Sequence, residues 1–250
     1  MNDSQAYLAK KAFFDRVLTI YGRHAVMEAL ENETLTIHKL HLSSSNKPSQ
    51  ELEQMKHIAQ KRAIEIAYHD KKSLSRISKN SRLDQGVALD VVMENFLTEK
   101  DFLAEKKTFR VLALDGVTNP QNLGMIIRSC AAGSIDALLL PSRGNAAISP
   151  LVVQASAGTL FKLPIIKTSD LIASLKRFAL QESALYALEA DASEDYRETN
   201  SARSVFVLGN ESDGIRPEVA AVCNGAIAIP MQRGVESLNV AITAALIAFA

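Results

Sequence analysis

Apolar positions along this chain fall into two blocks with different rhythms. In the first, residues 18–92, Ala25, Val26, Ala29 and Leu30 share one face of a helix predicted over 22–30. Residues 37–42, 64–68 and 87–93 read as short strands and 51–62 as a helix, with a polar Ser/Asn/Pro loop at 43–49. This predicts a small α/β domain, with 1–17 ahead of it as an extension. Residues 93–109 are charged and lack a strand pattern, which predicts a helical linker. From 110 onward, strands predicted at 110–115, 137–140, 165–166, 184–188, 205–208 and 226–229 are interleaved with helices at 123–133, 151–158, 169–178 and 237–250. Ser237 is the expected N-cap of the last helix. Strands alternating with helices imply a mainly parallel sheet covered on both faces, with ligands at the carboxyl ends of its strands.

Composition narrows the class. The 250 residues are 47% apolar, enough for a core that needs neither disulfide nor metal. Basic and acidic side chains balance at 28 each, which argues against a whole-chain electrostatic grip on nucleic acid. The balance is uneven along the chain. Residues 1–110 hold 18 basic against 15 acidic side chains, and Lys71, Lys72, Arg76, Lys79 and Arg82 follow one another with no acid between them. Any polyanion contact is therefore expected in the first half. Cys130 and Cys223 form no CxxC pair and read as buried thiols in a reducing compartment. No signal-peptide core stands at residues 1–11, and no apolar run reaches a membrane span of roughly 18 residues, so the expected place is the cytoplasm.

Much chemistry is missing. The sequence has no Gly-x-Gly-x-x-Gly and no Gly-Lys-Ser/Thr, and all five His residues lie before residue 70. The second block thus lacks an imidazole base and most zinc sites. What it has is three polar clusters, each following a strand. The first is Asp115-Gly-Val-Thr-Asn119-Pro120-Gln-Asn122-Leu-Gly124-Met-Ile-Ile-Arg128. Here Asn122 can cap the next helix, Gly124 permits a close neighbour, and Arg128 in an apolar stretch calls for a phosphate or carboxylate. The second is Gly209-Asn210-Glu211-Ser-Asp-Gly214-Ile-Arg216-Pro, and the third is Ile229-Pro230-Met231-Gln-Arg-Gly234-Val-Glu-Ser237-Leu238-Asn239. Three such loops on one sheet suggest a pocket of backbone and apolar groups, suited to a flat heterocycle with few charges.

These segments resemble, in order and spacing, the three motifs of SpoU/TrmH-type RNA 2'-O-ribose methyltransferases of the SPOUT superfamily, over 111–250. The first block, starting Ile20-Tyr21-Gly22-Arg23-His24-Ala25-Val26, is similar to the family's substrate-binding domain. It departs where Asp84-Gln85-Gly86 stands for the common His-Gln-Gly, and Ser212-Asp213 for the commoner Gly-Glu. The resemblance implies an α/β domain at 110–250 with a mainly parallel sheet and a deep trefoil knot, behind a small ribosomal-protein-like α/β domain at 18–92. It implies S-adenosylmethionine as cofactor, an RNA substrate, a homodimer, and neither metal nor membrane. Gly209, Asn210, Ile229, Met231 and Leu238 would form the cofactor pocket. Asn122, Arg128, Glu211, Ser237 and Asn239 match the catalytic positions, with Arg128 holding a phosphate and Glu211 ordering Arg128 or the nucleotide. Arg23, Lys71, Lys72, Arg76, Lys79 and Arg82 are the expected RNA contacts. Large-subunit (23S) ribosomal RNA is the expected substrate. A transfer RNA, an RNA-binding protein without catalysis and a small-molecule enzyme are the alternatives.

Overall fold

Strands and helices alternate as expected, in two separate sheets. The computed structural model describes residues 5–250, and the chain divides into two units between Glu94 and Asn95.

In the first unit, helix α1 (Gln5–Asp15) precedes β1 (Val17–Tyr21), α2 (Arg23–Glu31), β2 (Thr36–Ser43), α3 (Gln50–Lys61), β3 (Glu65–His69), α4 (Lys71–Ser78) and β4 (Val87–Val92). The sheet order is β1-β4-β2-β3, antiparallel except for the β2–β3 pair. Ile20, Leu40 and Leu89 from the strands and Val26, Leu30, Met55 and Leu74 from the helices form its core, each at most 1% exposed. The extension expected at 1–17 holds α1 and the start of β1, and its residues 1–4 lie outside the described residues. Helix α4 is absent from the sequence reading, although Asp70 caps it by accepting from the Ser73 amide at 2.8 Å. Asp84 is buried, accepts from Ser78 Oγ at 3.1 Å, and receives the Gly86 amide at 3.0 Å. It pins the turn in which Gln85 (φ 51°) and Gly86 (φ 78°) are both left-handed.

The second unit runs β5 (Phe96–Leu97), α5 (Glu99–Glu105), β6 (Phe109–Leu114), α6 (Pro120–Ala132), β7 (Ala137–Pro141), α7 (Pro150–Ala155), β8 (Ile165–Thr168), α8 (Leu171–Ala179), β9 (Ala184–Leu188), β10 (Glu194–Asp195), β11 (Arg203–Leu208), α9 (Pro217–Ala220), β12 (Gly225–Ala228) and α10 (Val240–Ala248). All its strand pairs are parallel, in the order β10-β12-β9-β11-β6-β7-β8-β5. Strands β6, β7 and β11 are buried almost throughout, as central strands covered on both faces must be.

Three expectations change here. Most of the segment expected as a linker, 93–109, belongs to this unit. Phe96–Leu97 pair with β8, and Phe102 of α5 stacks edge-on against Phe109, 5.3 Å between centroids, and packs on Phe178. A two-residue edge strand has no periodicity to read, and Phe102 is buried only by partners distant in sequence. Next, Asn119 rather than Asn122 caps α6, accepting from the Gln121 amide at 2.8 Å. Pro120 at the first helical position fixes that choice, since its missing N–H costs nothing there. Finally, the last helix starts at Val240 with Asn239 as its cap, accepting from the Ala241 amide at 2.8 Å, and Ser237 lies in the loop before it.

Helix α10 is apolar nearly all round and packs on α6. Its last carbonyls find partners in the sheet layer. Arg110 donates to Ile247 and Ala250, each at 2.7 Å, and the Ser134 amide and hydroxyl donate to Ala248. A side chain at Gly124 would overlap Ala155 and come within 2.9 Å of the Val152 carbonyl, so this glycine does permit α6 to meet α7 closely. Burial pushes the Cys130 thiol up to about 12 and the Cys223 thiol up to about 11, so neither is a thiolate near neutral pH. No helix among the described residues is long and apolar enough to cross a membrane.

Candidate active site

A cavity of about 420 Å³ opens at the carboxyl ends of β9, β11 and β12. Its walls come from the ends of these strands (Leu188, Leu208, Ile227), the loops that follow them, and the start of α10 (Val240, Thr243). All five expected pocket residues line it: Gly209, Asn210, Ile229, Met231 and Leu238. Glu211 and Ser237, expected as catalytic, line it too. The ionisable lining is Glu189, Glu211 and Glu236, with no basic side chain. Walls of mixed apolar and polar groups, with carboxylates and no basic side chain, repel phosphates and favour a heterocycle carrying positive charge.

The floor of the site is held by loop-to-loop hydrogen bonds. Asn210 donates its amide to Gly116 O at 2.7 Å and accepts the Ser212 amide at 2.8 Å, while its backbone exchanges bonds with Gly214. Its side chain therefore ties the second motif to the first. Asp115, buried at the end of β6, receives the Arg216 amide at 2.9 Å and its guanidinium at 2.8 Å, a second tie between these motifs. Asn145 adds a third support. It accepts the Val117 amide at 2.8 Å from a loop after β7. Sequence reading missed Asn145 and Glu189, because neither belongs to a motif and only strand order brings them here.

The polar residues split into a connected set and an isolated one. Asn122, in the first turn of α6, donates to the Glu211 carboxylate and accepts from Asn239 Nδ2 at 3.2 Å. One amide thus joins the three motifs. Glu211 is engaged by Asn122 rather than by Arg128. Arg128 is exposed two turns along α6, outside the cavity lining, on the same exposed strip as Gln121 and Met125, and makes no hydrogen bond or ion pair among the described residues. Asn239 has two jobs, as cap and as donor to Asn122. Asn239→Asp separates them, since a carboxylate keeps the cap but turns an acceptor toward the Asn122 carbonyl oxygen. Thermal unfolding of this variant is expected to match the parent within about 0.5 kcal/mol. Its turnover is expected to fall about tenfold or more in a methyl-transfer assay.

The expected RNA contacts all fall in the first unit. Lys71, Lys72 and Arg76 on α4, with Lys79 and Arg82 just beyond, are exposed, and their ammonium and guanidinium groups make no hydrogen bond or ion pair among the described residues. Arg23 differs. Its guanidinium reaches Ser49 Oγ and Glu51 Oε2, both at 3.3 Å, which ties α2 to the start of α3. No group of three or more His, Cys, Asp or Glu side chains among the described residues is placed to hold a metal ion.

Both units have counterparts among known proteins. The sequence model of the SpoU rRNA methylase family matches residues 110–249, and that for RNA 2'-O ribose methyltransferase substrate binding matches 19–97. The 23S rRNA (guanosine-2'-O-)-methyltransferase RlmB of Xylella fastidiosa is 30% identical over 235 residues, covering 92% of this chain and 94% of its own. A protein of Mycolicibacterium vanbaalenii named an uncharacterized tRNA/rRNA methyltransferase is 30% identical over 233 residues, 91% of this chain and 74% of its own. Among solved structures, the AdoMet-bound rRNA methyltransferase of Sinorhizobium meliloti superposes with a TM-score of 0.63 at 24% identity, covering 96% of this chain and 88% of that one. The SpoU methyltransferase AviRb of Streptomyces viridochromogenes gives 0.66 at 20% identity, covering 96% and 90%. These likenesses place the fold. With the matched family models over both units and relatives aligned across nearly the whole length, the chain belongs to the SpoU rRNA methylase family.

Proposed function

We propose that the second unit transfers a methyl group from S-adenosylmethionine to a ribose 2'-OH of large-subunit ribosomal RNA, and that the first unit selects the RNA, in the cytoplasm. The observation that carries this reading is the acidic cavity at the carboxyl ends of the strands, whose lining residue Glu211 is joined through Asn122 to Asn239. The donor set fits an adenosyl sulfonium: apolar side chains for the base, backbone groups of Gly209, Ile229 and Leu238 for adenosine, and carboxylates near a cation. When bound, that group supplies a methyl carbon already activated for in-line attack. The chain's own part is to orient and to manage charge. Asn122, itself bonded by Asn239, orients the Glu211 carboxylate, and Arg128 fixes a substrate phosphate and stabilises charge developing on the 2'-oxygen. Arg128 is not the base, because guanidinium stays protonated at neutral pH.

Ribosomal RNA is favoured over transfer RNA by the 23S rRNA activity named for the Xylella fastidiosa relative. The return of the chain through the loop before α10 to dock beside β6 is consistent with a trefoil knot in this unit. A homodimer is supported by the packed pair α6 and α10, which expose Met125 at 41% and Ile242 at 53%, with Phe249 just past α10 exposed at 67%.

The reading is tested by calorimetry with S-adenosylmethionine and by mapping 2'-O-methyl sites in total RNA with and without the gene. Heat of binding and the loss of one rRNA site are expected. A lost site in transfer RNA would move the substrate. Binding of RNA without any lost site would make the chain a binder rather than an enzyme.

A further inference from the structure

One end of the first sheet gathers the carboxyl ends of β1, β2 and β3 and the start of β4. The loop after β2 is fixed there. The Ser44 amide donates to His69 O at 2.8 Å, the Asn46 amide to Ser43 O at 3.1 Å, and Asn46 Nδ2 to Gly86 O at 2.8 Å. Lys47 follows this tied turn and is exposed. Directly after β3, Asp70 caps α4, so Lys71 and Lys72 open their helix at the same end, with Arg76 one turn on. The acids of this region are engaged. Glu51 pairs with Arg23, Glu53 with Lys56 and Glu65 with Lys39, while Asp70 accepts from Ser73. The charged groups of Lys47, Lys71, Lys72 and Arg76 make no hydrogen bond or ion pair among the described residues, so the charge left over here is positive.

An aromatic ring stands beside these cations. Tyr68, the last residue but one of β3, is 59% exposed, the most of any aromatic side chain of the first unit among the described residues. It is in register with Leu42, which is only 2% exposed, but β3 is the edge of the sheet and no further strand covers its outer side. Among the described residues the Tyr68 hydroxyl makes no hydrogen bond and its ring meets no other aromatic ring. An open ring of this kind adds little to the core. It does present a flat π-face at the border of a positive surface, and every nucleobase can stack on such a face.

Resting on the proposed RNA substrate, we infer that Tyr68 is a stacking platform for one unpaired base of that RNA, whose flanking phosphates are held by Lys47, Lys71 and Lys72. Lysines grip a backbone whether or not its bases are paired. A ring needs a base that has left its stack, so the combination selects a nucleotide in a loop or bulge rather than in a duplex. Unpartnered cations on both sides of the ring favour a polyanion over a protein as the occupant. Selection by a splayed base also suits a chain with no net charge.

The test is RNA binding by the full chain, with 23S rRNA transcribed in vitro as probe, over a series of salt concentrations. Tyr68→Ala is expected to weaken binding about tenfold or more, the range found when a stacked ring is removed. The slope of log Kd against log salt is expected to stay as in the parent, because a neutral ring releases no counterion, whereas Lys47→Ala lowers it by about one. Tyr68→Phe is expected to bind as the parent does, since stacking uses the ring and not the hydroxyl. The chain has no Trp, so Tyr68→Trp places a single indole at this position, and its fluorescence is expected to be quenched when the RNA is added. Parental affinity in a Tyr68→Ala chain that melts normally overturns the inference, as does an unquenched indole in a Tyr68→Trp chain that binds. A loss in Tyr68→Phe equal to that in Tyr68→Ala also overturns it, because the hydroxyl would then be the contact. If the unaltered chain fails to bind the rRNA at all, the proposed function falls with it. Binding that ignores Tyr68 removes this inference alone.

Discussion

Arg128→Lys is expected to fold, melt and bind S-adenosylmethionine as the parent does, and to lose about a hundredfold or more in turnover. The stability half follows from where the residue stands. Arg128 is exposed on α6 and bonded to nothing among the described residues, and Lys has nearly the same helix propensity, so the change should lie within about 0.5 kcal/mol. The catalytic half follows from shape. Lysine keeps the charge, so a role in long-range attraction of RNA would survive. It lacks the planar fork that can hold a phosphate oxygen and a developing alkoxide together. Single-turnover kinetics with saturating RNA separate these roles. An Arg128→Lys enzyme turning over near the parental rate would refute the assigned role.

Gly209→Ala is expected to weaken cofactor binding about a hundredfold and to cost about 1–3 kcal/mol of stability. Gly209 has no left-handed requirement, and its necessity is spatial. A Cβ there would overlap the backbone of Gly214 and Ile215, where no side chain can rotate away. The turn closed by Asn210 N to Gly214 O at 2.9 Å and Gly214 N to Asn210 O at 3.0 Å would have to open. Glu211 rides on that turn, so its bond with Asn122 would go as well. Calorimetric titration and a melting curve measure the two effects, and unchanged affinity would show that this wall does not contact the cofactor.

The pocket residues were the most legible part of the site. Gly209, Ile229 and Leu238 lie in segments where a buried strand breaks abruptly into Gly, Pro and amide residues, a local pattern that needs no partner to be seen. Cap positions were legible only to within a few residues. Asn119 and Asn122 both have the chemistry of a cap, as do Ser237 and Asn239, and a one-turn choice between them is settled by Pro120 in one case and by the closure of the cavity with Leu238 in the other. Strand β5, helix α5 and Asn145 were not legible, because each is stabilised by groups far away in sequence: β5 by β8, Phe102 by Phe178, and Asn145 by the loop at Val117.

By itself the sequence determined the central strands and most helices of the second unit, where its three polar loops stand, and that this unit carries neither a histidine nor a glycine-rich phosphate loop. Burial periodicity and turn chemistry are local, so they survive without knowledge of the fold. Only the tertiary structure decided which side chains of those loops meet. Asn122 is 89 residues from Glu211 and 117 from Asn239, and it faces both because a parallel sheet gathers the carboxyl ends of its strands on one edge. The same packing left Arg128 outside that cluster, and in the first unit it joined two histidines and an aspartate in one hydrogen-bonded chain. Strand order sets these meetings, and strand order is a property of how whole layers bury one another rather than of any one segment.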